Sequence, residues 1–209
     1  MTSIDAITLE VADLAAAERF YANAFGLGDR LRLRAAQEPA TGFRGFTLSL
    51  TVSQPADVNV LFDAAVGAGA TVLKPAAKSM WGYGGVVQAP DGTIWKIATS
   101  AKKDTGPATG QIDTIVLLLG ATDVGASKQC YLDHGFTVAK SFGRMYVEFA
   151  SAGSIKLALY RRRALAKDAG VSPEGTGSHR IAVSGAAEPF TDPDGFAWEV
   201  ASLNSAGAR

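Results

Sequence analysis

Along this chain apolar residues recur at two spacings. Ile7, Leu9 and Val11 alternate with Ala6, Thr8 and Glu10, the two-residue period of a strand with one buried face. Asp13 then stands where a helix N-cap belongs, ahead of Leu14, Ala17, Phe20 and Tyr21 at helical spacing, and Gly26 and Gly28 end that helix. Phe46, Leu48, Leu50 and Val52 alternate with Thr47, Ser49 and Thr51, predicting another strand with one polar face. A second helix is predicted over 58–68, closed by Gly69, then strands over 71–74, 83–88 and 93–99. The turn Ala89-Pro90-Asp91-Gly92 joins the last two strands. Further on, the pattern predicts a strand over 112–119, a helix over 123–134, and strands near 136–141, 144–150 and 155–160. A short helix near 162–169 and strands near 179–184 and 196–201 complete an α+β chain.

The elements repeat because the sequence does. Ile4-Asp5-Ala6-Ile7-Thr8-Leu9 reads against Ile112-Asp113-Thr114-Ile115-Val116-Leu117, and the helix opened by Asp13 reads against the one opened by Asp123. Pro90-Asp91-Gly92-Thr93-Ile94-Trp95-Lys96-Ile97-Ala98 reads against Pro193-Asp194-Gly195-Phe196-Ala197-Trp198-Glu199-Val200-Ala201. Two units, 1–100 and 111–203, are therefore expected, joined by a polar linker over 101–110 that carries Gly and Pro. The first unit lacks the strand pair found at 144–160, and the second lacks a counterpart of the helix 58–68.

Composition narrows the function classes. The 209 residues are 47% hydrophobic and 19% charged, ordinary values for a globular chain. Twenty Lys and Arg balance twenty Asp and Glu, which excludes a general electrostatic grip on nucleic acid or on an anionic membrane. One cysteine, Cys130, excludes an intrachain disulfide framework and fits a reducing cytoplasm. No apolar run reaches membrane-spanning length, and Met1 to Asp5 do not read as the basic start of a signal peptide.

A strand, then Asp13-Leu14 with Phe20-Tyr21, then a terminal Pro-Asp-Gly turn feeding an apolar strand, occurring twice, resembles the vicinal oxygen chelate superfamily. That group includes glyoxalase I, bleomycin-resistance proteins, fosfomycin-resistance enzymes and extradiol dioxygenases. The resemblance covers nearly the whole chain and implies βαβββ modules whose curved sheets form cups, with helices on the convex side. It also implies a divalent metal in the cup, held by two His and a Glu and acting as a Lewis acid. Carried across residue by residue, those positions fall on Ala6, Thr47 and Lys96 in the first half and on Thr114, Arg180 and Glu199 in the second. Only Glu199 is a metal-ligand type at its position. His179 is next to Arg180, but strand alternation turns it toward the side of Ile181 and Val183.

These substitutions make a metal-free cup the leading expectation, with no cofactor. The ligand-binding candidates are Glu10, Thr47, Trp81, Lys96, Arg180 and Glu199, with Glu199 the catalytic candidate. The cup charges are expected either to pair internally, Glu10 with Lys96 and Arg180 with Glu199, or to receive ligand groups. Trp81 lies in the glycine-flanked stretch Met80-Trp81-Gly82-Tyr83-Gly84-Gly85, suited to fold over a flat ligand or to cover a sheet edge, whereas Trp95 and Trp198 are expected on the helix side as core. The expected function is binding of a small organic molecule by a monomer, with a homodimer as the other assembly. One alternative is a metal-dependent lyase or dioxygenase using Glu199 with His179. Another is a non-catalytic structural or interaction protein whose cups are filled by its own side chains.

Overall fold

The computed structural model describes residues 3–200; the expected ends of the last strand at 201 and of the second unit at 203 lie outside the described residues. The first half runs β1 (Ile4–Val11), α1 (Leu14–Ala24), β2 (Leu31–Ala35), β3 (Ala40–Gly42), β4 (Phe46–Thr51), α2 (Pro55–Gly67), β5 (Thr71–Ser79), β6 (Gly82–Gln88) and β7 (Ile94–Thr99). The second runs β8 (Thr114–Ala121), α3 (Val124–Asp133), β9 (Val138–Phe142), β10 (Tyr146–Phe149), β11 (Ile155–Arg161), α4 (Arg162–Ala169), β12 (Gly175–Gly177), β13 (Ile181–Gly185), β14 (Phe190–Thr191) and β15 (Ala197–Val200).

Local chemistry explains most boundaries. Asp13 caps α1 by accepting from the Ala16 N–H at 2.9 Å, and Asp123 caps α3 by accepting from Gly125 at 2.8 Å and Ala126 at 3.2 Å. Helix α2 starts three residues before the predicted 58 because Pro55 supplies a preset φ at its first position. Strand β5 runs on to Ser79, past the predicted 74, because β6 pairs with it across two register shifts that absorb Pro75. The glycine-flanked stretch around Trp81 is the tip of this hairpin.

Two principal sheets form, in the orders β14-β15-β13-β1-β2 and β5-β6-β7-β4-β8-β11-β10-β9, and β3 pairs with β12 in a separate ribbon. Four units can be read within them, because in each the first strand lies parallel to the last: β1 with β2, β4 with β7, β8 with β11 and β13 with β15. The two inner units, β4 to β7 and β8 to β11, are complete and join antiparallel through β4 and β8 into the large sheet. The two outer units join through β1 and β13 into the small sheet. The first outer unit passes from α1 directly to its last strand, and the other has no helix and runs from β13 to the two-residue β14 and then to β15. Each sheet thus draws strands from both sides of the 101–110 segment.

One core serves both sheets. Ile7, Leu9, Ile181, Val183 and Trp198 from the small sheet and Leu48, Leu50, Trp95, Ile97, Leu117 and Leu119 from the large one belong to a single buried cluster with α1 and α2. The opposite face of the large sheet holds a second cluster: Leu165, Ala166 and Ala169 of α4 pack on Phe43, Val86 and Ile94, with Leu118 and Tyr160 beside them. Strand alternation puts Leu118 on the other side from Leu117 and Leu119, so α4 lies in the cup of the large sheet. The connecting segment is held rather than slack. The Gln54 side chain accepts from Thr105 and Gly106 N–H and donates to the Pro107 carbonyl, while buried Asp57 accepts from the N–H groups of Thr109 and Gly110.

Candidate functional site

The polar side of the small sheet follows from register. Glu10 pairs opposite Arg34, Thr8 opposite Arg32 and Ala182, and Ser184 opposite Glu199, so these residues share one face while Leu9, Leu33, Val183 and Trp198 share the other. Arg34 joins the two carboxylates. Its Nη2 and Nε donate to Glu10 Oε1 at 2.7 and 3.0 Å, and its Nη1 and Nη2 donate to the two Glu199 oxygens at 2.8 Å each. Glu199 comes from β15, three strands across the sheet from β2, and the curl of the cup brings it to the same guanidinium. The hydrogen bonds that Arg34 donates to Glu199 raise its pKa most, burial opposes them, and Glu10 adds to the rise.

The large cup holds the other candidate. Lys96 sits on β7 opposite Ser49 and Val86, and its ammonium meets Asp168 of α4 at 2.9 Å. Beside this pair opens a cavity of about 880 Å³ whose lining includes Thr51, Lys74, Lys78, Trp81, Lys96 and Asp168. Trp81, at the hairpin tip, is 82% exposed at its mouth. Thr47 is buried and pairs opposite Leu118 in the region covered by α4.

Two expected ion pairs do not form. Glu10 meets Arg34, not Lys96, and Glu199 meets Arg34, not Arg180. The reason is topological: the outer units pair with each other and the inner units with each other, so Glu10 and Lys96, from one half of the sequence, lie in different sheets. Arg180 stands just before β13 with a left-handed backbone, φ 54°, which no other described non-glycine residue adopts, so the strand's alternation does not carry through it. Its Nε and Arg44 Nη1 are buried without a hydrogen-bond partner among the described residues. Burial lowers the Arg44 pKa and the charge of Arg180 lowers it further, while Asp91 works against both. No expectation falls on Arg34, although Leu31-Arg32-Leu33-Arg34 carries the alternation of a half-buried strand. Asp168 had no sequence signal, because only the docking of α4 brings it to Lys96.

The two expected core tryptophans are buried on the helix side, and each anchors a matching relay. Trp95 donates to Tyr21 Oη at 3.4 Å, and Tyr21 donates to Asp91 at 2.9 Å. Trp198 donates to Tyr131 Oη at 3.2 Å, and Tyr131 donates to Asp192 at 2.9 Å. Burial, then the nearby carboxylate, raises both tyrosine pKa values well above normal. These phenols are structural donors.

Neither family models nor curated proteins give a match to this sequence. Solved structures do. Glyoxalase I from Zea mays superposes with a TM-score of 0.64 at 14% identity, covering 95% of this chain and 91% of that one. A protein provisionally named a dioxygenase, from Bacillus subtilis subsp. subtilis, superposes with a TM-score of 0.54 at 13% identity, covering 88% of this chain and 69% of that one. The chain has the glyoxalase fold.

For a glyoxalase-fold chain the question becomes whether its cups suit a divalent metal. Among the described residues no three His, Cys, Asp or Glu side chains gather as a metal would require. Glu199, on the strand expected to supply a carboxylate ligand, has both oxygens on Arg34, whose fixed positive charge repels a dication. His179 Nδ1 lies 2.5 Å from the Arg44 carbonyl and Nε2 2.9 Å from the Asp194 carbonyl, so both nitrogens already face acceptors. The donor set does not fit the metal that the fold family implies.

Proposed function

We propose that this glyoxalase-fold chain binds a small organic molecule, without a metal, in the cavity of the large cup. One observation carries the reading: beside α4 the cup keeps about 880 Å³ of space, bounded by Lys96, Lys74 and Lys78 and by an exposed tryptophan at its mouth. That volume suits a small ligand, and an ammonium within a partly apolar wall orients one end of it. The Glu10–Arg34–Glu199 bridge serves as an internal ion pair closing the small cup, and no catalytic step is assigned to Glu199. A non-catalytic structural role is the second reading, favoured by α4 filling the centre of the large cup.

The test is NMR titration of labelled protein with small aromatic acids and amides, with metal content measured on the same sample. Shifts concentrated at Thr51, Lys78, Trp81, Lys96 and Asp168, persisting with a chelator, are the expected result. Absence of any shift would favour the structural role. Stoichiometric metal with shifts around Glu199 and His179 would return the metal-dependent alternative.

A further inference from the structure

Lys96 projects from β7 into the cavity, and the group that meets its ammonium is a carboxylate on a different element, Asp168 at the end of α4. The helix is fastened without this pair. Leu165, Ala166 and Ala169 are buried in the cup, the Lys74 ammonium donates to the backbone carbonyls of Lys167 and Asp168, and Gly170 closes the helix in the left-handed conformation. The Lys96–Asp168 pair is also accessible, with side chains 39% and 47% exposed. Ion pairs so open to water shift an equilibrium by no more than about fivefold. Asp168 can therefore leave Lys96 at little cost and return to solvent while α4 stays docked.

We infer that Asp168 occupies the seat of a ligand carboxylate, and that the cavity takes a small carboxylate with a flat apolar body. The inference rests on the cavity being the ligand site, as proposed above. The incoming carboxylate takes Lys96 from Asp168, and the body lies along Ala77, Val86 and Ala98 toward Trp81. Asp168 thus sets a threshold for occupancy: neutral analogues compete with nothing at Lys96, whereas carboxylates must displace it.

Calorimetric titration of the full chain with benzoate and benzamide tests this. Asp168→Asn should bind benzoate about two- to fivefold more tightly than the parent chain and leave benzamide unchanged. Lys96→Met should abolish the gain when added to Asp168→Asn. Equal benzoate affinity in the parent and in Asp168→Asn, with binding still dependent on Lys96, would overturn the role of Asp168 and leave the cavity a ligand site. Tighter binding of benzamide than benzoate in Asp168→Asn would overturn the carboxylate class. No heat from any ligand with either protein would overturn both the inference and the cavity reading.

Discussion

In the large sheet both units keep four strands and a helix, and the resulting cup is wide enough to hold α4 and still leave a cavity. In the small sheet the same kind of unit has been cut down twice, in different ways, and five strands remain. The charges follow the architecture. In the narrow cup a guanidinium lies within hydrogen-bonding distance of two carboxylates and uses nearly all its donors on them, leaving little for a ligand. In the wide cup the lysine has one partner, borrowed from a helix that is not part of the sheet. The lesson is that deleting strands from a cup changes its chemistry as well as its size, because it decides which side chains can reach each other.

The comparison assumes that both sheets share one core, and the largest predicted effect tests that. Trp95→Ala and Trp198→Ala should each cost about 3–5 kcal/mol in urea unfolding, with a single transition by fluorescence and by circular dichroism. Two separated transitions would mean that the sheets unfold independently. Next comes the segment joining the halves: Asp57→Ala removes the hydrogen bonds that the buried carboxylate accepts from the Thr109 and Gly110 N–H groups, at about 1–3 kcal/mol. Burial works to raise the Asp57 pKa, but the hydrogen bonds from Thr109, Gly110 and Ser53 outweigh it and the net shift is downward. Its contribution is therefore present above the unfolded value and lost as pH falls through the lower folded one. Asp192 behaves oppositely: burial raises its pKa against the hydrogen bonds it accepts, so its contribution is greatest at low pH and is lost as pH rises through the folded value. Stability curves of Asp57→Asn and Asp192→Asn measured from pH 3 to 7 should diverge from the parent in opposite directions.

Smaller effects sharpen the contrast between the cups. Arg34→Ala strands Glu10 and Glu199, but Arg34 and Glu199 are both about two-fifths exposed, so the cost should be about 1–2 kcal/mol, below that of breaking a fully buried pair. Adding Glu10→Gln and Glu199→Gln should recover most of it; failure to recover would mean that Arg34 acts by packing. Asp168→Asn should change unfolding free energy by less than about 1 kcal/mol. A larger loss would mean that the pair locks α4 and that the large cup is as self-satisfied as the small one.

Much of the fold was legible along the chain. The alternation at Ile7, Leu9 and Val11, the caps Asp13 and Asp123, the duplicated Pro-Asp-Gly turns and the helix-side tryptophans are local signals, and local sterics and hydrogen bonding suffice to place them. Strand β2 was legible in principle, since Leu31 and Leu33 alternate with Arg32 and Arg34. Strands β3, β12 and β14 are two or three residues long and exist only because a partner is there to pair with them. The candidate sites were legible as residues but not as groups: Lys96 and Glu199 share a repeat position yet end in different cups with different counter-ions.

The sequence alone thus determined the longer elements and the residue types within each, because these depend on side chains a few positions apart, and it displayed the repetition of its own segments. Tertiary structure decided that outer unit meets outer unit, that Arg34 lies between Glu10 and Glu199, and that α4 brings Asp168 to Lys96. Those outcomes depend on which strand edges pair and which apolar faces are buried together, and a pairing between distant segments leaves no periodicity in either one.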